Sequence, residues 1–505
     1  TGDQNTHLGY TAGTSQTTGD DNTSVGHGAM FATTTASDNT AVGSLALHAN
    51  TTGHSNVALG AQALENNTTA NYNVAVGLHA LHDNSTGERC NAFGADALGS
   101  NTTANNNNAF GYNALLSNTT GASNNAFGKS CLDANTTGNS NTGIGHNALG
   151  DNTTGSDNTA IGCNALDANT SASNNTAVGR SALLSNTTGH SNVAVGALAL
   201  DANTTGHSNT GVGYLSLSGE TTGVRNTALG FHAGQVQDGA DDNVWVGYQC
   251  GLSNSTGEYN VGVGKDALRL NTTADGNTAV GYQSMVANTT GSAITAVGYQ
   301  SVRANTTGTN ATGIGWAALY SNTTGDHNTA VGLQSSYSNT TGQDNTSVGV
   351  NSLRLNTTGS DNTAIGRNAL EVATASNNTA VGANCLEANT TGDQNTGVGE
   401  GSLKLNTTAS NQTAVGFRAA FANTTGAANT AVGASALTAN TTASNNTAVG
   451  AGALAANTTG ADCTATGRMA LIANTTGNFN TALGKSALAA NTTGANNVGV
   501  GVSSL

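Results

Sequence analysis

A motif of 17 residues, Asn-Thr-Ala-Val-Gly-x-x-Ala-Leu-x-x-Asn-Thr-Thr-Gly-x-x, runs from one end of this chain to the other. Its first glycine occurs 30 times, from Gly9 to Gly501, and 28 of the 29 intervals between copies are 17 residues; the interval Gly366 to Gly382 is 16. A unit this short cannot enclose a core of its own, so each copy must bury its apolar groups against its neighbours, as one rung of a solenoid. The expectation is an all-β chain: a parallel β-solenoid, or β-roll, of about 30 rungs, forming one continuous repeat region over residues 1–505. Irregular rungs fall at about 217–257, and the one-residue deletion falls in 366–382. At a strand spacing of about 4.7 Å, thirty rungs would stack into a rod roughly 140 Å long.

The motif positions are numbered here from its first asparagine. Position 3 is Ala, Gly or Ser in 28 of 30 copies, with His7 and Trp245 the exceptions, and position 4 is apolar in 29, with Thr466 the exception. Position 5 is always glycine, and position 8 is Ala, Ser or Cys in all 30 copies. Strand alternation separates positions 2 and 4 from 3 and 5. The larger set, exemplified by Val42, Ile144 and Phe110, is expected to point into the rung, leaving a flat outer face of small residues. A second strand is expected around Ala-Leu, and the turn glycine at position 15 is expected to take φ > 0.

The turn asparagine at position 12 is present in 24 of 29 intervals, each time as Asn-[Ser/Thr]-[Ser/Thr], a formal N-glycosylation acceptor. Rungs about 4.7 Å apart leave no room for a glycan on each. Stacked asparagines can instead pass amide hydrogen bonds from rung to rung, which is the expectation here.

Composition narrows the function classes. Charged residues are 8% of the chain and aromatics 4%, and there is no proline, as suits rungs that must all donate backbone hydrogen bonds. The net charge of −15 comes without any basic stripe, which argues against nucleic acid and anionic lipid as partners. No apolar run is long enough for a membrane span. Cys131, Cys250 and Cys385 stand at position 8 and read as buried alanine substitutes. No zinc-type cysteine spacing occurs. Neither terminus carries an atypical capping rung, so the chain is expected to be a fragment of a longer one.

Repeats written Asn-Thr-Ala-Ile-Gly at Asn158–Gly162 and Asn362–Gly366, and Asn-Val-Ala-Val-Gly at Asn192–Gly196, resemble the head repeats of trimeric autotransporter adhesins (the YadA-like head). They are also similar to repeats in phage tail fibres and bacterial tail-fibre-like surface proteins. The resemblance covers essentially the whole chain. It implies a left-handed roll, association of three copies side by side, an extracellular setting on a cell surface or virion, and attachment to host cells or matrix. It supplies no catalytic residues. The turn here is longer than in the usual adhesin head, and no neck, stalk or anchor sequence is present.

Interruptions of a regular array point to function. Between Leu217 and Gly257 the turn asparagine becomes Glu220 and then Gln237, the leucine becomes Gly234 and Gly251, and Trp245 fills a position otherwise almost always small. Tyr214, Phe231 and Tyr248 occupy position 6 of three successive rungs, and Tyr282, Tyr299 and Trp316 occupy it in three more. Together with Trp245 these aromatics are the candidate ligand-binding residues, offering rings to sugars or to a receptor; the alternative is that they stack across rungs or are covered between protomers. His54, His190 and His207 share a loop position but are too few for a metal site in one chain. No catalytic, cofactor or metal constellation is found, and the chain is not expected to be an enzyme. The expected role is a structural and adhesive extracellular fibre that self-associates, as a homotrimer by resemblance, and presents a surface to a host glycan or protein. The alternative is a ligand-free building block of an extracellular filament or sheath. Ice binding is disfavoured, because the turn threonines are adjacent and the strand threonines are interrupted at Val57, Val74 and Asn91.

Overall fold

The computed structural model describes residues 2–505, which divide into two compact units, 2–256 and 257–505. The described residues hold thirty three-residue strands and no helix. Strands β1 (Thr6–Leu8) to β15 (Val244–Val246) belong to the first unit, and β16 (Val261–Val263) to β30 (Val498–Val500) to the second. Within each unit every strand pairs in parallel with the next, like position on like position. Thr40, Ala41 and Val42 lie opposite Val57, Ala58 and Leu59 in the first unit, and Thr278–Val280 opposite Thr295–Val297 in the second. Each unit is thus a parallel β-solenoid with one strand per rung.

The 16-residue rung keeps this register, with Thr363 opposite Thr379 and Ile365 opposite Val381. The missing residue is taken from the turn, where Ala373-Thr374-Ala375 replaces Asn-Thr-Thr-Gly. The strand cannot absorb a deletion, because a slip of one residue would exchange its two faces.

Three expectations are corrected. The first concerns which face is inside. Ala41 is fully buried while Val42 is 39% exposed, and Ile144 is 41% exposed. Position 3 therefore faces the interior and position 4 faces outward from β2 onward, whereas all three residues of β1 are exposed. The reason is the width of the rung. Its interior already holds Ala46 and Leu47, also fully buried, and only an alanine-sized side chain fits opposite them. Phe110 accordingly lies on the outer face, in a stack with Phe93 and Phe127 at ring separations of 4.7 Å.

The second correction is that Ala-Leu forms no strand. Leu45 and Leu47 have φ of 58° and 52°, so alternate residues are left-handed and the segment curls. Its amides still bond to neighbouring rungs, Leu45 N to His27 O at 2.8 Å and Leu47 N to Ala63 O at 2.9 Å. A left-handed leucine costs about 1–2 kcal/mol, offset by complete burial of its side chain, worth about 1.5–3 kcal/mol.

Third, the turn glycines at position 15, such as Gly53, do not carry positive φ; left-handed residues occupy positions 7, 9 and 17 instead. At position 17, Asp38 and Asn106 are types that tolerate this conformation, and Ser55, Tyr72 and Arg89 adopt it as well. The invariant position-5 glycine has a separate cause. Gly43 has φ of 145°, and a Cβ there would lie 2.2 Å from the carbonyl oxygen of Gly60. The backbone that approaches this glycine so closely is the next rung of the same chain.

Candidate functional site

The interior of each rung is bounded by two asparagines. At position 12, Asn118 donates from Nδ2 to Asn101 Oδ1 and to Gly121 O, both at 2.9 Å. Asn135 and Asn152 repeat the first bond at 2.8 Å each. This is the expected ladder. These side chains are fully buried, so the sequons at Asn118, Asn135 and Asn152 offer no accessible amide in the folded chain.

A second ladder, at position 1, went unread in the sequence. Asn141 donates its backbone N–H to Asn124 Oδ1 and its Nδ2 to Gly155 O, each at 2.9 Å. Asn152 also donates to Gly155 O, at 3.0 Å. Both amide columns thus converge on the position-15 carbonyl and satisfy polar groups that the thin apolar core cannot. The signal was present, since asparagine opens nearly every motif.

Each break in the position-12 column leaves a mark. Gln16 and Thr33, at this position in the first two rungs, each have a buried oxygen without a partner. At Ala373 the preceding Asn356 Oδ1 turns to the backbone N–H of Gly359 at 3.0 Å. At Glu220 the preceding Asn203 Oδ1 is buried and has no partner.

Trp245 is fully buried and is withdrawn as a ligand contact. It fills the interior where two leucines are missing: a Cβ on Gly234 would lie 2.6 Å from its indole, and one on Gly251 2.3 Å. Its Nε1–H donates to Gln237 Oε1 at 2.8 Å. The irregular rungs therefore form a plug in which side-chain volume is redistributed between neighbouring positions.

The position-6 aromatics are exposed. Tyr214, Phe231 and Tyr248 in the first unit are 42–45% exposed and stack at centroid distances of 5.4 and 5.3 Å. His232 packs on Phe231 at 3.9 Å. In the second unit Tyr282, Tyr299 and Trp316 stack at 5.3 and 6.1 Å with nearly parallel rings, and Lys265 Nζ lies 5.8 Å from the Tyr282 centroid. Ring faces within each column are turned to their neighbours, so the columns present edges and, at the tyrosines, hydroxyl groups. A shorter stack at position 10, Tyr320 on Tyr337 at 5.0 Å with Arg303 over Tyr320, was not singled out in the sequence.

The histidines do not converge on a metal-binding group. His190 and His207 stack at 4.7 Å, while His54 lies 3.3 Å from Ser55 Oγ. Among the described residues no cluster of three or more His, Cys, Asp or Glu side chains could hold a metal ion. A pair overlooked in the sequence, His79 and His82, is instead tied to carboxylates, His79 to Asp96 at 3.1 Å and His82 to Glu65 at 3.1 Å and Asp83 at 2.7 Å. Cys131 and Cys385 are buried at position 8 as expected, and burial pushes their thiols up to about 12 and about 11. Cys163, at position 6, is exposed.

No protein-family model matches the chain, and no curated protein matches it. No helix among the described residues is long and apolar enough to cross a membrane.

Proposed function

We propose that the chain is a structural and adhesive fibre segment that self-associates through the outward face of its strands and presents a surface for attachment away from a cell or virion. One observation carries this reading. The position-4 side chains form an apolar rank on the outside of each unit, with Ile314, Ile365, Val415 and Val449 each 36–39% exposed. Contiguous exposed apolar surface of this kind marks sites of association.

The assembly suggested by the repeat resemblance is a homotrimer, and the setting is extracellular, on a cell surface or as a virion fibre. The two position-6 columns, with their exposed tyrosine edges, are the surface offered to a host glycan or protein. The reading assigns no catalytic step, cofactor or metal. The alternative, a ligand-free filament or sheath subunit, is favoured by the near-identity of the rungs; it predicts open lateral or helical assembly instead of a closed particle.

A cryo-EM cross-section of the assembled particle tests the reading by counting chains. Three rolls joined along the position-4 rank is the expected result. Val415→Asp with Val449→Asp should then dissociate the particle, because each buries a carboxylate at the contact. A monomer with the rank exposed to water overturns the proposal, and an open helical array selects the alternative.

A further inference from the structure

Where the position-12 column is unbroken it follows one rule: each asparagine donates back to the Oδ1 of the asparagine in the rung before it. Glu220 breaks the rule, because a carboxylate has nothing to donate. Its side chain is fully buried. Oε1 accepts from the backbone N–H groups of Gly223, of Gly239 at 2.9 Å and of Thr222 at 3.2 Å, and Oε2 accepts from Gln237 Nε2 at 3.0 Å. All these donors come from its own rung or the following one. On the preceding side stands Asn203 Oδ1, a buried acceptor with no partner. Asn203 cannot turn to help, since its Nδ2 already donates to Asn186 Oδ1 at 2.8 Å and to Gly206 O at 3.0 Å.

We infer that Glu220 is held as the neutral carboxylic acid in the folded chain and donates its O–H to Asn203 Oδ1, so that this one step of the column is closed by a hydrogen bond that exists only while the acid is protonated. A carboxylate would leave Asn203 Oδ1 a buried acceptor without a donor, which is unfavourable in a dry interior. The neutral acid supplies the one missing hydrogen.

The charges around it agree. On the following rung Asp238, which accepts from the Thr221 hydroxyl, adds a negative charge. Arg225, later in the same rung, is bound to Asp242 at 2.7 and 2.8 Å and lies 3.5 Å from Asp241. The preceding rung offers Asn203 and, further along, His207, which stacks on His190. Burial raises the Glu220 pKa, and Asp238 raises it further against the opposing hydrogen bonds.

Because the folded pKa lies above the unfolded value, folding takes up a proton. The stability this contributes is fully present below the unfolded glutamate pKa, about 4.3, and is lost as pH rises through the folded value. The result is a proton-dependent joint at one known rung.

The test uses the full chain and Glu220→Gln, which donates at any pH. Infrared titration of the wild type should show a carboxylic-acid carbonyl band that outlasts ordinary glutamates and is missing in the variant. As that band disappears, backbone hydrogen exchange in the rungs of Asn203 and Glu220 should accelerate roughly tenfold relative to Asn118–Asn152, corrected for intrinsic exchange, the equivalent of about 1.4 kcal/mol. The variant should show no such rise. A wild type whose Glu220 is ionised wherever other glutamates are, or whose exchange ratio ignores pH, overturns the inference. Should the variant fail to fold, the site-resolved exchange titration of the wild type decides alone.

Discussion

The rungs from Asn101 to Asn152 and those from Leu217 to Cys250 solve the same packing problem with different residues. In the first stretch the interior is made of Ala109, Ala114 and Leu115 and their equivalents, all fully buried, and the asparagine column is unbroken. In the second, one tryptophan replaces an alanine, two glycines replace leucines, and glutamate and glutamine replace two asparagines. The strands nevertheless keep register, with Ala228 opposite Trp245. What is conserved along the solenoid is therefore interior volume per pair of rungs together with a continuous row of polar partners, and residue identity is only the usual way of meeting both. The first rung shows the same exchange on a smaller scale. His7 takes the alanine position, and a Cβ on Gly13, in the leucine position, would lie 2.3 Å from its ring.

The sharpest way to break this comparison is Trp245→Ala. The substitution restores the residue found at that position in regular rungs, yet it should destabilise the first unit by about 3–5 kcal/mol, because Gly234 and Gly251 leave the space empty. It also strips Gln237 Oε1 of its closest partner, the indole N–H at 2.8 Å. Adding Gly234→Leu and Gly251→Leu should recover most of the loss, since leucine occupies the same left-handed conformation in the regular rungs. Chemical denaturation of the single and triple variants measures both effects. If the triple variant is no more stable than the single, conserved interior volume is not the governing constraint.

A second test opens the regular region. Asn118→Ala removes two donated hydrogen bonds and leaves Asn101 Oδ1 and Gly121 O short of a donor inside the core. The expected cost is about 1–3 kcal/mol. Local hydrogen exchange should rise in the rungs on either side and fall off along the column, as nearest-neighbour coupling in a solenoid requires. A change spread evenly over the first unit would show instead that the rungs unfold as one.

The period, the parallel register and the position-12 ladder were legible in the sequence because each is a statement repeated along the chain, the asparagine in 24 of 29 intervals. Orientation was not. Alternation says that positions 3 and 4 face opposite ways without saying which is inside, and the usual preference for burying the larger residue pointed the wrong way at Val42. The deciding fact is three-dimensional: Leu47 curls into the rung through left-handed backbone and occupies the volume a strand valine would need. For the same reason Trp245 read as a surface aromatic, although the simultaneous loss of the leucines at Gly234 and Gly251 was the clue to its burial. The position-6 aromatics could be placed on successive rungs from spacing alone, but not the direction of their rings. Glu220 was visible as an interruption. Its meaning required the orphaned Asn203 Oδ1.

The smallest expected effect separates a buried acid from a crowded one. Asp133 and Asp167 stand at position 10 on either side of Gly150, where a Cβ would lie 2.5 Å from Asp167 Oδ1. The pKa of Asp167 is raised by partial burial first and then by the charges of Asp151 and Asp133. A raised folded pKa means stability that is full below the unfolded aspartate value, about 3.9, and lost as pH rises through the folded one. Asp167→Asn should therefore raise the melting temperature slightly at neutral pH and leave it unchanged at acid pH, where the wild-type carboxyl is already neutral. Because this group is only partly buried, much of the neutral-pH gain should vanish in high salt. Glu220→Gln differs on that last point, since a hydrogen bond inside a sealed column is insensitive to ionic strength. Melting curves of both variants at two pH values and two salt concentrations make the distinction, and a salt-dependent gain for Glu220→Gln would place that acid with Asp167 at the surface.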